Sequence, residues 1–325
     1  MGQKPLKEIL NLCTRCGKCV PFCPSYKIFK KEAFSPRGRL FLVSQNKIHK
    51  SFDFCLLCEK CERICPHGIG FSLFYFKNLK QKKDLTESFS FLNTEKKEIH
   101  FYESKKSQLI VYPSCGVKYL YPEAVEKFIF IMKKRDISVE VPREFLCCGA
   151  PFLNLGIPSL LKETAIKNLN ILEKIDKPFA IFCATCFWII KKVYPLIFEG
   201  TSYEERFLRV SQKMFLAYQI LFEIADKEMK DLQLKSKSEK ILFHLPCHLT
   251  EEFKLLKNKI DTKEFCCGSP KLFLWTKGFQ EKYKKEWIKN LENIDILATF
   301  CTGCYLNFNM LLKKPPLIYH WLELL

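Results

Sequence analysis

The sequence lacks a long apolar run. Its longest uncharged stretches, 145–161 and 296–312, are interrupted by Cys, Gly, Pro or Asn, and neither predicts a transmembrane helix. The N-terminal residues Met1-Gly2-Gln3-Lys4-Pro5 also lack the apolar core of a secretory signal. We therefore expect a chain that neither crosses a membrane nor is exported, so that its cysteines stay reduced.

A dinucleotide-binding fingerprint of the G-x-G-x-x-G kind is absent as well, so the chain has no evident flavin or nicotinamide site of its own. Acidic residues are few: 35 Asp and Glu face 53 Lys and Arg, a formal net charge of +18. A basic excess can indicate nucleic-acid binding, but these lysines are spread in short runs, as at 80–83 and 96–97. We interpret them as solvated surface and expect no nucleic-acid partner.

Cysteine, in contrast, is abundant, and its 18 residues fall into four groups with none left over. Two groups share the pattern C-x2-C-x2-C-x3-C-P, and they are Cys13, Cys16, Cys19, Cys23 and Cys55, Cys58, Cys61, Cys65. The other two are five-cysteine sets, named here the first set (Cys115, Cys147, Cys148, Cys183, Cys186) and the second set (Cys247, Cys266, Cys267, Cys301, Cys304).

The four-cysteine pattern predicts two 4Fe-4S cubanes. Three closely spaced thiolates ligate one cubane, and the fourth cysteine of the string ligates the other. The strings are therefore expected to exchange ligands, so that Cys65 joins the triple at 13–19 and Cys23 joins the triple at 55–61. Structural zinc and a disulfide scaffold are the alternatives, but zinc sites use paired C-x2-C knuckles rather than a triple followed by x3-C-P.

The segment between the two strings predicts a helical ferredoxin domain. Ser35 is suited to cap a helix and Pro36 to open it. Arg37 and Arg39, at the start of that helix, are candidates to neutralise a cluster or its partner. Surface salt bridges are the alternative role for both arginines.

From residue 108 the chain repeats itself, with Cys-Cys-Gly followed by Cys-x-x-Cys in each copy. Four short apolar runs, each ending at or close to a cysteine, predict buried strands; they are Leu109–Tyr112, Phe179–Phe182, Ile241–His244 and Ile296–Phe300. Open α/β sheets place their sites at the carboxyl ends of such strands. We therefore expect an α+β protein, in which a helical ferredoxin domain precedes a duplicated α/β cysteine-rich domain.

The expected domain boundaries follow from these patterns. They are 1–80 for the ferredoxin domain, 81–107 for a linker, 108–198 for the first repeat, 199–238 for a helical connector and 239–325 for the second repeat.

These motifs together resemble a known family. Cys-Cys-Gly with a downstream Cys-x-x-Cys, twice, resembles the cysteine-rich subunit of heterodisulfide reductase, and the added ferredoxin strings resemble the fused form of that subunit and the glycolate oxidase iron–sulfur subunit. The stretch Ser35-Pro36-Arg37-Gly38-Arg39 is similar to the inter-motif segment of the glycolate oxidase subunit. The resemblance implies one or two additional noncubane 4Fe-4S clusters in the ten-cysteine region, and these cleave a disulfide in heterodisulfide reductases. A zinc site or buried thiol cluster is the alternative for each set.

Two functions remain open from the sequence. Both five-cysteine sets are complete, which favours a cluster site that reduces a disulfide, with His248, next to Cys247, as a candidate proton donor. A packed or hydrogen-bonded His248 is the alternative. The second function is a non-catalytic electron-transfer subunit for a flavin-dependent 2-hydroxy-acid dehydrogenase.

Either function requires an electron-transfer partner, a flavoprotein or a membrane cytochrome. We expect a cytoplasmic location, with peripheral attachment to the inner face of the membrane through such a partner as the alternative.

Overall fold

The structure is a computed structural model that describes residues 10–47, 49–71, 75, 106–143, 145–224, 239–249, 252–257, 260–269, 277–312 and 316–324. The expected linker lies outside these residues except for 106–107, and so does part of the expected helical connector, 225–238. Within the described ranges, no helix has both the length and the apolar character needed to cross a bilayer.

The N-terminal part consists of short helices around the two cysteine strings. They are α1 (Pro24–Phe29), α2 (Pro36–Ser44) and α3 (Lys60–Arg63), with 3-10 turns at Glu32–Phe34 and Lys50–Phe54. Ser35 caps α2, because its hydroxyl accepts the Gly38 amide at 2.9 Å, and Pro36 is the first helical residue. The expected helical ferredoxin segment is confirmed.

The first repeat is built on a parallel four-stranded sheet with the order β2-β1-β3-β4. Its elements are β1 (Leu109–Tyr112), α4 (Cys115–Tyr119), α5 (Glu123–Lys133), β2 (Val139–Glu140), α6 (Ala150–Leu155), α7 (Pro158–Leu172), β3 (Phe179–Ile181), α8 (Ala184–Trp188), a π-helical turn (Ile189–Val193), α9 (Tyr194–Ile197), α10 (Ser202–Gln212), β4 (Met214–Leu216) and α11 (Ala217–Ile224). The sheet therefore extends to Leu216, beyond residue 198, where we expected the first repeat to end. The sequence did not indicate β4, because a three-residue strand gives no detectable periodicity.

The second repeat has the matching order β6-β5-β7-β8, again parallel. It contains β5 (Ile241–Pro246), α12 (Lys254–Lys257), β6 (Thr262–Phe265), α13 (Lys277–Ile288), a 3-10 turn (Lys289–Leu291), β7 (Ile296–Thr299), α14 (Thr302–Leu311), β8 (Leu317–His320) and a 3-10 turn (Trp321–Leu324). Among the described residues, the segment from Cys247 to Cys266 contains one helix, whereas the corresponding segment from Cys115 to Cys147 contains two. The four predicted strands are present, and the α+β fold class is confirmed.

Apolar packing connects the three parts. One continuous core contains the central strands of both sheets, whose residues are almost fully buried, as expected for parallel sheets covered by helices. The ferredoxin part joins it through aromatic stacking: the Phe29 ring lies 5.0 Å from Phe279 of α13, and Phe54 lies 5.1 Å from the same ring. The segments that carry Cys23 and Cys55 are therefore held against the second repeat.

Candidate iron–sulfur centres

An outer cavity is surrounded by the four cysteines that the spacing assigns to one cubane. Its lining includes Cys13, Cys16, Cys19 and Cys65, together with Arg37 and His67. Cys16 is exposed to solvent. Burial raises the pKa of Cys19 to about 11, so a thiolate there needs a nearby positive charge, which iron would provide.

The tight turn in this loop depends on Gly17, whose φ of 81° lies in the left-handed region. A Cβ at this position would also meet the Arg37 guanidinium at 2.6 Å. Arg37 itself is ion-paired with Glu32 at 2.6 Å and donates to the Arg15 carbonyl at 3.2 Å. Arg37 therefore closes the cysteine loop from outside and also forms the surface salt bridge given as its alternative role.

An inner cavity is surrounded by the other four ferredoxin cysteines, Cys23, Cys55, Cys58 and Cys61, together with Arg39. Arg39 is buried, donates to the Ser51 carbonyl at 3.0 Å, and points one guanidinium nitrogen at Cys23 Sγ, 3.8 Å away. A buried guanidinium beside these thiols fits an anionic cluster. Arg39 therefore lies beside the thiols of the inner cavity, and its role in neutralising a cluster stays a prediction.

The inner cavity lies against the second set. Burial, and then the neighbouring Cys266 thiol, raise the pKa of Cys58. Arg63 of α3 donates to the Cys247 carbonyl at 2.6 Å and pairs with Glu264 at 2.6 Å. The ferredoxin turn and the second set are therefore in direct contact.

Four of the ten remaining cysteines, Cys115, Cys183, Cys247 and Cys301, follow the carboxyl ends of the four predicted strands within three residues, as the sequence predicted. Cys115 begins α4 after β1, and Cys183 and Cys301 are the N-cap residues of α8 and α14. Nine of the ten are buried or half-buried; Cys147 is exposed. Within the second set, the Cys267 and Cys304 sulfur atoms lie 3.0 Å apart.

Buried amide and hydroxyl groups hold both carbonyls of each Cys-Cys pair. In the first repeat, Asn168 donates to the Cys147 carbonyl at 3.0 Å and the Tyr194 hydroxyl donates to the Cys148 carbonyl at 2.8 Å.

In the second repeat the order is reversed, with Tyr283 on the Cys266 carbonyl at 2.9 Å and Asn307 on that of Cys267. The sequence did not reveal these four supporting residues, because each looks like an ordinary residue of a helix face or of a core.

The two sets meet where α8 and α14 begin. The Thr302 amide donates to Cys183 Sγ at 3.4 Å, and the Thr185 hydroxyl lies 3.0 Å from Cys301 Sγ. Although burial opposes it, hydrogen bonds from Cys186, Cys301 and Thr302 hold the pKa of Cys183 well below its ordinary value. The first set therefore already favours a thiolate at this contact.

The second set has its own low-pKa thiol. A hydrogen bond from Cys247 lowers the pKa of Cys266 to about 7. Thiolates are the form of cysteine that binds iron. Both sets therefore contain a thiol that the protein prepares for metal binding.

The histidines near the second set have different environments. His244 is fully buried between Thr299 and the Phe265 carbonyl, at 3.0 and 2.8 Å, so its role is structural. His248 is close to Cys247, with Nδ1 4.0 Å from the sulfur, and its ring packs on Trp188 at 5.0 Å. Burial lowers the pKa of His248 to about 4. His67 is remote from the second set in sequence and lies at the outer cavity, with its Nε2 3.1 Å from the Thr14 hydroxyl.

The donor set fits iron–sulfur clusters better than single metal ions. Thiols surround the two ferredoxin cavities and fill both sets, and none of the eighteen forms a disulfide. Among the residues that the structure describes, no three Cys, His, Asp or Glu side chains converge as ligands of one ion. Thiolates are the ligands of 4Fe-4S clusters.

Comparison with known proteins agrees with this chemistry. Residues 9–69 match the 4Fe-4S dicluster domain family, and residues 109–191 and 241–309 match the cysteine-rich domain family. The chain is similar to a fumarate reductase (CoM/CoB) subunit of Methanothermobacter marburgensis, with 25% identity over 95% of this chain and 69% of the relative.

Two further relatives cover more of their own length. The glycolate oxidase iron-sulfur subunit of Escherichia coli is 20% identical over 98% of this chain and 93% of the relative. A dihydromethanophenazine:CoB–CoM heterodisulfide reductase subunit of Methanosarcina mazei is 22% identical over 92% and 88%. In this chain the dicluster domain precedes the two copies of the cysteine-rich domain, and the two family models together match about two thirds of its residues. The chain therefore belongs to the 4Fe-4S family that includes the fused heterodisulfide reductase subunit and the glycolate oxidase iron–sulfur subunit.

Proposed function

We propose that this chain is the iron–sulfur subunit of an oxidoreductase that reduces a disulfide at its ten-cysteine site. When bound, the clusters accept and release single electrons. The observation that carries the proposal is the contact between two complete five-cysteine sets, with Cys183 and Cys301 buried at the contact and the inner ferredoxin site beside Cys266.

The order of the sites suits an electron path that leads from the surface to the interior of the protein. The outer cavity has an exposed cysteine, Cys16, where a partner can approach. The inner cavity lies deeper and is held against the second set through Arg63. The two sets then touch at the ends of α8 and α14. In this proposal, the contacts between neighbouring parts of the protein hold each cluster site close to the next one.

The proposed ligand sets follow the two cavities. Cys13, Cys16, Cys19 and Cys65 would hold the outer cubane, and Cys23, Cys55, Cys58 and Cys61 the inner one. The first and second sets would hold one further cluster each or share one between them. We propose the domain boundaries that were expected from the sequence, except that the first repeat also includes β4 and α11.

The reaction consumes two electrons and two protons: the S–S bond of the substrate breaks and two S–H bonds form. The electrons come from an electron-donating partner, a flavoprotein or a membrane cytochrome, and the protons from solvent.

The alternative function is a relay for a flavin-dependent 2-hydroxy-acid dehydrogenase. The similarity to the glycolate oxidase iron-sulfur subunit over 98% of this chain favours it. In this alternative the partner binds the hydroxy acid, and the ten cysteines of this chain only conduct.

The deciding experiment is anaerobic oxidation of reduced viologen by a panel of small disulfides. We expect turnover by the intact chain and its loss in Cys148→Ala and Cys267→Ala, which alter equivalent positions of the two sets. No turnover with any disulfide, together with dye reduction that depends on a 2-hydroxy acid after a flavin partner is added, would establish the relay instead.

A further inference from the structure

A cavity of about 330 Å³ lies where the ferredoxin part and both repeats meet, and we name it the junction pocket. It is lined by Glu62, Trp188, Lys191, Lys192, His248 and Glu252, among others. Its size is at the lower end of the range for small-molecule sites. Some residues that line the pocket directly follow a cysteine in the sequence. Glu59 follows Cys58 of the inner ferredoxin site, Phe187 follows Cys186 of the first set, and His248 follows Cys247 of the second set.

Access to the two sets is unequal on the two sides of their contact. After Cys115 the first repeat has Gly116, and a Cβ there would overlap Thr302, whose hydroxyl lies 2.6 Å from that of Tyr121. After Cys247 the second repeat has His248, which lies at the junction pocket. One side of the contact is therefore closed by packing, and the other opens into the pocket.

His248, which lines this pocket, contains a buried polar atom. Its Nε2 is buried and has no hydrogen-bond partner among the described residues. A buried polar atom without a partner is energetically unfavourable. A ligand that forms a hydrogen bond with Nε2 would remove this penalty.

The cations of the pocket are not equivalent. Lys192 is committed to Glu59 at 2.6 Å and Glu62 at 3.1 Å. Lys191, in contrast, forms no ion pair with any residue that the structure describes, and its ammonium lies 4.8 Å from the centre of the Phe187 ring. Glu252, which lines the same pocket, acts on Lys191 electrostatically without forming an ion pair with it, so the Lys191 ammonium is still placed to meet an anionic group that enters the pocket.

The backbone that carries both lysines is unusual. Ile189–Val193 forms a π-helical turn between α8 and α9. Such turns insert an extra residue into a helix and are frequent at functional sites. Here the turn directs Lys191 and Lys192 to the same pocket.

We propose that the junction pocket binds a small disulfide that carries a carboxylate, with the carboxylate at Lys191 and a polar atom near the disulfide on His248 Nε2. This inference rests on the proposed disulfide reduction and specifies its substrate class. The bound S–S bond then lies beside Cys247, takes up two electrons delivered from the ferredoxin side and two protons from solvent, and leaves as two thiols.

The test is anaerobic calorimetric titration of the cluster-loaded chain with dithiodiglycolate, which has two carboxylates, and with bis(2-hydroxyethyl) disulfide, which is neutral. We expect Lys191→Glu to raise the Kd for dithiodiglycolate about tenfold or more and to change that for the neutral disulfide less than about twofold. His248→Phe keeps an aromatic ring on Trp188 but should weaken the binding of both disulfides.

Lys134→Glu is the matched control, since the Lys134 ammonium also lies over an aromatic ring, Phe130, at 4.5 Å, but Lys134 does not line the pocket. It should leave both Kd values unchanged. An equal Kd for dithiodiglycolate in wild type and Lys191→Glu would overturn the proposal. Binding that depends on Lys191 without turnover would retain the pocket and remove disulfide reduction. Turnover with the same KM for dithiodiglycolate in wild type and Lys191→Glu would retain disulfide reduction and remove the junction pocket as its site.

Discussion

The Trp188 indole of the first repeat donates a 2.8 Å hydrogen bond to the Glu59 carboxylate of the ferredoxin part. Glu59 directly follows Cys58, and Trp188 lies two residues after Cys186. Burial raises the pKa of Glu59 to about 7, against the effect of Lys192 and Trp188. This bond therefore fixes the inner ferredoxin site relative to the first set.

Trp188→Phe should destabilise the protein by about 0.5–1.5 kcal/mol, because it removes the indole donor to Glu59 Oε1 while the ion pair of that oxygen with Lys192 at 2.6 Å remains. Anaerobic thermal unfolding measures this as a lower Tm. The control is Trp287→Phe: the Trp287 indole nitrogen is buried and has no hydrogen-bond partner in the described part of the chain. An equal loss in both variants would mean that packing, not the hydrogen bond, holds the interface.

The exchange of ligands between the cysteine strings can be tested by paramagnetic resonance. Cys23→Ser should perturb the same reduced-cluster signal as Cys58→Ser, since both cysteines line the inner cavity. Cys65→Ser should instead perturb the signal that Cys16→Ser alters, because these two line the outer cavity. Pairing of Cys23 with Cys16 would show that the two strings are independent.

Iron content tests the ten-cysteine site. Anaerobically purified protein should contain about twelve to sixteen iron atoms per chain, from two cubanes and one or two further clusters. Elemental analysis with simultaneous zinc determination measures it. About eight irons with stoichiometric zinc would retain the ferredoxin sites and remove clusters from the two sets.

If each set holds its own cluster, the hydrogen bonds to the Cys-Cys carbonyls predict that the two clusters can be lost one at a time. Asn168→Leu removes the donor to the Cys147 carbonyl and should release about four irons from the first set alone. Asn307→Leu is the matched change in the second set, where the amide supports the Cys267 carbonyl. Iron analysis and the resonance signals of each variant distinguish the sets. Full iron content in both variants would show that these hydrogen bonds are dispensable.

Two glycines give opposite predictions for stability. A Cβ at Gly38 in α2 would overlap the Glu32 carbonyl oxygen, whereas at Gly278 in α13 it would meet nothing within 4 Å. Gly38→Ala should therefore lower the Tm, and Gly278→Ala should raise stability by less than about 1 kcal/mol, because alanine is the better helix former but Gly278 is only the second residue of α13. A neutral Gly38→Ala would mean that the loop before α2 adjusts freely.

The sequence by itself determined the kind of protein. The spacing of Cys13 to Cys23 and of Cys55 to Cys65 indicates cubane ligands, since a triple of thiolates with a fourth three residues later suits no other common site. The same local information placed Ser35 and Pro36 at the start of α2, and the apolar runs gave the strands that precede Cys115 and Cys183. These features depend on residues that are close in the chain.

Tertiary structure alone decided which sites touch. No local pattern shows that Arg63 reaches the Cys247 carbonyl, that Trp188 meets Glu59, or that Gly116 is packed shut while His248 faces a cavity. Partners of this kind are 129 to 184 residues apart for the two hydrogen bonds, and their meeting depends on how three units pack. Periodicity reports only whether a residue is buried, so it could not separate Asn168 or Tyr283 from ordinary core residues.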